Sequence, residues 1–162
     1  MSRPAGSAEA VSGGEEHTQA LRQAICDTGR ALLEAGLVAR TWGNVSTRVP
    51  DGRMLITPSG IPYETLTRDD IATVSIGSLE RENAVKPSSE YELHARIYRV
   101  RPEVGAIVHT HQPAASAVAA ARQTISVPGD DSLHATLGPL VPCVDYALPT
   151  TSRLARKTEK LA

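Results

Sequence analysis

The residues best suited to chemistry in this sequence are His109 and His111, at the end of the apolar run "AIVHTH". Side chains two apart on a strand leave the same face. Their Cα atoms lie roughly 6–7 Å apart, close enough for two imidazoles to converge on one ion. Two histidines at a strand end also serve as polar caps in solvent, and the spacing alone leaves both readings open. A carboxylate strengthens the first: Glu90 falls in the first turn of the helix that leads into this strand. An acid there also simply complements the helix dipole. Ser88 and Ser89 carry hydroxyls at the same helix start, where free backbone N–H groups attract phosphate. Asn44-Val45-Ser46 and Thr57-Pro58-Ser59-Gly60 are two further polar turns, and Gly60 lets the backbone approach an anion closely. Each is ordinary turn chemistry by itself. Together, a histidine pair, a carboxylate and these turns point to an enzyme acting on a phosphorylated, metal-chelating small molecule.

The elements that must position these residues follow from periodicity. Residues 1–14 are small, polar and Gly-rich and are expected to form a flexible tail, with the domain proper at 15–162. Leu21, Ile25, Thr28 and Leu32 recur at spacings of three and four, predicting a helix over about 15–35 that Gly36 stops. Val45, Thr47 and Val49 alternate, Pro50-Asp51-Gly52 turns, and Met54 to Thr57 returns, which makes a hairpin. Thr67-x-x-Asp70 reads as a capped turn before a strand over Ile71–Ile76. Pro87, Ser89 as N-cap and Glu92 as capping-box partner announce a helix whose buried stripe is Leu93, Ile97 and Val100. The His109 strand follows, then a helix opened by Pro113, an irregular or short-stranded stretch over "ISVPGDDSLHATLGPLVPCVDY", and a last helix from Thr150–Ser152. The sum is an α/β or α+β sandwich around one antiparallel-rich sheet, without internal repeats.

Composition narrows the function classes. Lys+Arg 17 against Asp+Glu 18 gives a net charge of −1, which argues against nucleic acid or an anionic membrane as partner. No apolar stretch approaches the roughly 20 residues that span a bilayer, and the first residues lack a signal-peptide core, so a soluble, cytoplasmic protein is expected. Cys26 and Cys143 are far apart with no CxxC, which suggests reduced thiols. Neither GxGxxG nor a Walker loop is present. With no Phe, one Trp and four Tyr, the core must come from Leu, Ile, Val and Ala.

The segments "TWGNVS", "ITPSGIPYETL", "KPSSEYELH" and "AIVHTH", in this order, resemble the class II aldolase/adducin family. That family includes L-fuculose-phosphate aldolase and its relative L-ribulose-5-phosphate 4-epimerase, and the match runs from about residue 18 to the end. The resemblance implies a three-layer α/β/α domain with a central, mainly antiparallel sheet, assembled as a homotetramer. It implies one Zn2+ per subunit held by His109 and His111, with Glu90 as catalytic acid/base and additional ligand. Asn44, Ser59, Gly60, Ser88 and Ser89 fall on its substrate-phosphate positions. The implied activity is that of a lyase of carbohydrate metabolism: retro-aldol cleavage of a small sugar phosphate, a fuculose-1-phosphate-like ketose, through an enediolate that zinc stabilises. Glu90 would shuttle the proton if its pocket raised its pKa. His94, one helical turn after Glu90, is assigned to helix packing, and His134 to neither metal nor catalysis.

The pattern also departs from the family's. The third zinc histidine belongs to a later "HG" motif beyond residue 162, so the sequence is expected to be a truncated member or fragment with impaired metal affinity. The tyrosine that assists the aldolase has no counterpart near "VPGDDSLHA", and the epimerase's acid has none in "HATLG". "TWGNVS" and "IVHTH" lean toward the epimerase, whereas Glu90 after two serines leans toward the aldolase. An epimerase, decarboxylase or dehydratase of the same family, a non-catalytic adducin-like module, and a metal-free anion-binding regulator are the alternatives.

Overall fold

A computed structural model describes residues 6–129 and 131–162. The chain runs α1 (Gly6–Glu34), β1 (Asn44–Val49), β2 (Arg53–Ile56), β3 (Ala72–Ser75), α2 (Tyr91–Val100), β4 (Ala106–His109) and α3 (Pro113–Ala120). It continues through β5 (Ile125–Ser126), α4 (Asp131–Leu137), β6 (Leu140–Val141) and α5 (Ser152–Glu159). The first four strands form one sheet in the order β3-β2-β1-β4, antiparallel throughout, and β5 and β6 pair separately. Helices cover both faces of the main sheet, giving the expected α/β/α layering. Among the described residues no helix is long and apolar enough to cross a membrane.

Strand alternation divides the core in two. Val45, Val49 and Leu55 point toward α1 and bury against Ile25, Cys26 and Leu32, with Tyr63, Leu66 and Ile71 closing that layer. Met54, Ile56, Ala72 and Val74 point the other way, onto Ala95 and Tyr98 of α2. The pairings Met54↔Val74 and Ile56↔Ala72 keep each apolar residue opposite another of the same face. A one-residue slip would move these residues to the opposite face of the sheet, into the layer packed against α1. Beyond α2 lies α5, held by buried Ala155 and by Arg96, which bridges Glu92 and Glu159 at 2.9 Å each.

Three expectations need correction. The first helix begins at Gly6, well before Glu15. Ala8, Glu9 and Ala10 are good helix formers, so the small residues that suggested a tail continue the helix instead. The tail assigned to residues 1–5 lies outside the described residues. The second helix does not use Ser89 as its cap: Glu90 holds the N-cap position without a side-chain cap, and Glu92 bonds Arg96 and Ser152. Its buried row is His94, Ala95 and Tyr98, whereas Val100 is exposed and Leu93 and Ile97 line a groove beside β4. Ala95 permits close approach to the sheet, and the polar tips of His94 and Tyr98 are met by the Ser46 hydroxyl at 2.7 and 2.8 Å. The third correction is α4, a helix inside the stretch expected to be irregular.

The hairpin turn Pro50–Gly52 and the Thr67/Asp70 capping box form as expected. Cys26 and Cys143 are free thiols, the first fully buried. Arg48 fastens the end of α2 to the following turn: its guanidinium donates to the carbonyls of Tyr98 (2.6 Å) and Val104 (3.2 Å) and stacks on the Tyr98 ring at 4.8 Å. This clamp reverses the chain between α2 and β4, so the start of α2 and the end of β4 meet at the same end of the sheet.

Candidate active site

At that end, register sets the first pair. In the β1–β4 ladder His109 stands opposite Asn44, and Ile107 opposite Ser46, so both members of each pair face the α2 layer. Gly43 sits at φ +78° against this pair; a Cβ on it would lie 2.6 Å from the His109 carbonyl oxygen and 2.7 Å from Val38. Glycine is therefore required for β1 to start so close to the end of β4.

Glu90 reaches this corner from the start of α2. Its Oε2 lies 2.8 Å from His109 Nδ1 and accepts from Asn44 Nδ2 at 3.1 Å. The Glu90 side chain is 11% exposed, yet its pKa is pushed down to about 2. The His109 ring beside it is the main cause, outweighing burial, and Asn44 adds to it. The raised value expected for a proton shuttle is therefore reversed in this arrangement: the neighbours stabilise the carboxylate more than desolvation penalises it. Asn44 Oδ1 and His109 Nδ1 are both buried without a well-formed hydrogen bond, the latter despite its closeness to Glu90.

His111 lies just beyond the end of β4, exposed, its ring stacked on that of His109 at 5.0 Å and 17°. The ring of Trp42 stands 5.9 Å from His111 on its other side. One donor atom each from Glu90, His109 and His111 lie within 4.8 Å of one another. Zinc bonds of about 2.0–2.2 Å place tetrahedral ligand atoms about 3.4 Å apart. Among the described residues no third histidine joins this group. His94 is fully buried and bonded to Ser46, and its pKa is pushed down to about 3, first by burial and then by His109. His134 Nε2 pairs with the Val127 carbonyl.

The expected anion-binding turns are tied together by the backbone. Ser88 N–H donates to the Thr57 carbonyl (2.9 Å) and Ser59 N–H to the Lys86 carbonyl (3.0 Å). This brings Ser59 and Gly60 beside Ser88 and Ser89 at the N-terminal end of α2. Ser88 Oγ accepts from the Glu90 N–H at 3.4 Å, and Gly60 adopts φ +82°. A cavity of about 300 Å³ collects Asn44, Ser59, Gly60, Ser88, Ser89, Glu90 and His111, while His109 adjoins it through Glu90. The same cavity is lined by Trp42, Pro149 and Thr150, which sequence reasoning did not single out. Trp42 carried a signal, being the chain's one Trp and standing just before Gly43-Asn44; Pro149 and Thr150 carried none.

The family model described as the class II aldolase and adducin N-terminal domain matches residues 23–162. L-fuculose phosphate aldolase of Escherichia coli (strain K12) is 39% identical over 136 residues, which cover 83% of this chain and 61% of that protein. The same enzyme of Haemophilus influenzae is 36% identical over 142 residues with the same coverages. The chain thus spans about three fifths of the length of these relatives. Among solved structures, an L-fuculose 1-phosphate aldolase superposes with a TM-score of 0.78 at 29% identity, covering 86% of this chain and 67% of that one. L-fuculose-1-phosphate aldolase from Thermus thermophilus gives 0.72 at 28% identity, covering 87% and 69%.

Proposed function

Because this chain belongs to the class II aldolase and adducin family, we propose that it carries the site of a zinc-dependent lyase. Its substrate would be a small sugar phosphate, a fuculose-1-phosphate-like ketose, cleaved by retro-aldol chemistry. The observation that carries the reading is the meeting, around one cavity, of a Glu90–His109–His111 donor group with the serine and glycine turns at the start of α2. The donor set of two imidazoles and a carboxylate suits zinc, and the buried His109 Nδ1 lacks a well-formed bond that an ion would supply. When bound, zinc supplies Lewis-acid stabilisation of negative charge on the substrate's oxygens.

The remaining work falls to the chain's own residues. Hydroxyls of Ser59, Ser88 and Ser89, the Gly60 backbone and the helix N-terminus hold the phosphate. Asn44 holds Glu90 in place through its amide. Glu90, ionised, accepts the proton of the substrate hydroxyl on the carbon being released as aldehyde. The carbon–carbon bond then breaks, its electron pair stays on the carbon of the phosphate-bearing fragment that loses the bond, and the proton is delivered to that fragment's carbon. The reading includes a cytoplasmic homotetramer, and exposed Leu133, Leu137, Leu140 and Val141 offer apolar surface for such an assembly. A second reading, a sugar-phosphate epimerase of the same family, draws support from Trp42 of "TWGNVS" at the cavity wall.

Zinc per chain, measured by elemental analysis beside His109→Ala/His111→Ala, tests the donor group: near-stoichiometric metal is expected, and lost in the double variant. The zinc-loaded protein should then release dihydroxyacetone phosphate from fuculose 1-phosphate, and Glu90→Gln should not. No release from zinc-loaded protein refutes the aldolase assignment.

A further inference from the structure

We propose that Trp42 determines specificity in this cavity: its indole is the surface on which the carbon chain of the sugar phosphate lies, beyond the fragment that carries the phosphate. This rests on the sugar-phosphate reading above. Trp42 is 59% exposed although it is the one Trp of a chain without Phe, so its ring is withheld from a core short of aromatic side chains. Its place is fixed from both sides. Gly43 is pinned against the His109 carbonyl, and Trp42 N–H donates to the Ala39 carbonyl at 3.0 Å across a turn in which Arg40 adopts φ +56°. The backbone that carries the indole is thus held, and the ring stands 5.9 Å from the His111 ring, tilted 41° to it.

Elsewhere in the lining, Ser59, Gly60, Ser88 and Ser89 offer hydroxyls and backbone, which suit a phosphate. Apart from His111, Trp42 is the one aromatic ring among the described residues that line the cavity, and it stands beside His111. A ligand whose phosphate is held at the serines and whose central oxygens reach His111 has this ring, 5.9 Å from that of His111, as the aromatic surface next to it. An indole face favours apolar C–H surface over further hydroxyls, so the site selects a deoxygenated, methyl-bearing chain end.

The test compares three ligands on the zinc-loaded chain: inorganic phosphate, dihydroxyacetone phosphate and fuculose 1-phosphate, whose chain ends in a methyl group. Because Trp42 is the only Trp, its fluorescence reports directly on the cavity. Fuculose 1-phosphate should shift the emission to the blue, while the two smaller ligands leave it in place. By calorimetry, Trp42→Ala should weaken fuculose 1-phosphate about tenfold, equal to about 1.4 kcal/mol. The same variant should bind phosphate and dihydroxyacetone phosphate as before, and Trp42→Phe should recover most of the loss. Equal affinity of Trp42→Ala and parent for fuculose 1-phosphate overturns the assignment of Trp42 and leaves the sugar-phosphate reading intact. A parent protein that binds none of the three overturns both.

Discussion

Ser46 is fully buried and its hydroxyl lies between His94 Nδ1 (2.7 Å) and the Tyr98 hydroxyl (2.8 Å). Ser46→Ala removes one small oxygen and strips two buried polar groups of a shared partner, in a layer that water does not reach. Each buried group left without its partner costs about 1–3 kcal/mol, so a loss of about 2–6 kcal/mol is expected. That is a large share of the about 5–15 kcal/mol that holds a typical domain together. With a urea slope of about 2 kcal/mol per molar, the unfolding midpoint followed by circular dichroism should fall by about 1–3 M. Tyr98→Phe keeps the Ser46–His94 bond and should cost about 1 kcal/mol. Because the network is shared, the double variant should cost less than the two single losses added together. A Ser46→Ala protein within about 0.5 kcal/mol of its parent would refute the reasoning, since that is the range of substitutions that disturb nothing.

Gly29, on the buried side of α1, leaves no room for a side chain: a Cβ there would lie 2.3 Å from Tyr63 Cδ1 and 2.7 Å from Cε1. Gly29→Ala gains about 1 kcal/mol of helix propensity but must displace the Tyr63 ring. A net loss of about 1–3 kcal/mol is expected, a fall in Tm of about 2–4 °C per kcal/mol, and an unchanged or raised Tm would contradict the packing. The pH dependence of stability reports on His94, whose folded pKa of about 3 lies below its ordinary 6.5. The unfolded chain takes up a proton near pH 6.5 and the folded chain does not, so this contribution is complete above pH 6.5 and is lost as pH falls toward 3. The slope is about 1.4 kcal/mol per pH unit. Urea midpoints between about pH 7.5 and 5 should decline for the parent and less for His94→Gln; a flat parent profile would sink the assignment. Glu90, with a folded pKa of about 2 against 4.5, adds to the loss only at lower pH.

Much of the frame was legible because its signals are local. Pro50-Asp51-Gly52 fixes a hairpin within its own residues, and Thr67 and Asp70 satisfy each other three residues apart. The face of α2 was not legible, because what makes His94 and Tyr98 fit to be buried is a hydroxyl 48 and 52 residues away. Apolar Leu93 and Ile97 drew the reading toward themselves, yet they face a groove. At the site, the spacing of His109 and His111 left two readings open, and it was the resemblance carried by the four motifs that named the residues lying around one cavity. The direction of the Glu90 pKa did not follow, since it depends on the β1–β4 register that brings His109 and Asn44 to the same carboxylate. Pro149 and Thr150 reach the cavity through long-range closure, for which a single sequence holds no periodicity to read.

The paired backbone bonds between Thr57–Ser59 and Lys86–Ser88 have a consequence for how this chain can change. They close the intervening segment at its base, so the two cavity-lining turns behave as one splint rather than two hinged pieces. Lengthening the exposed tip near Ser78 then enlarges a loop whose ends are already joined, and doubling such a loop costs only about 0.6 kcal/mol. Insertions there are tolerable without disturbing the splint, whereas a proline in place of Ser59 or Ser88 would remove one of its two rungs. Variation in this region is thus channelled to the tip, away from the base.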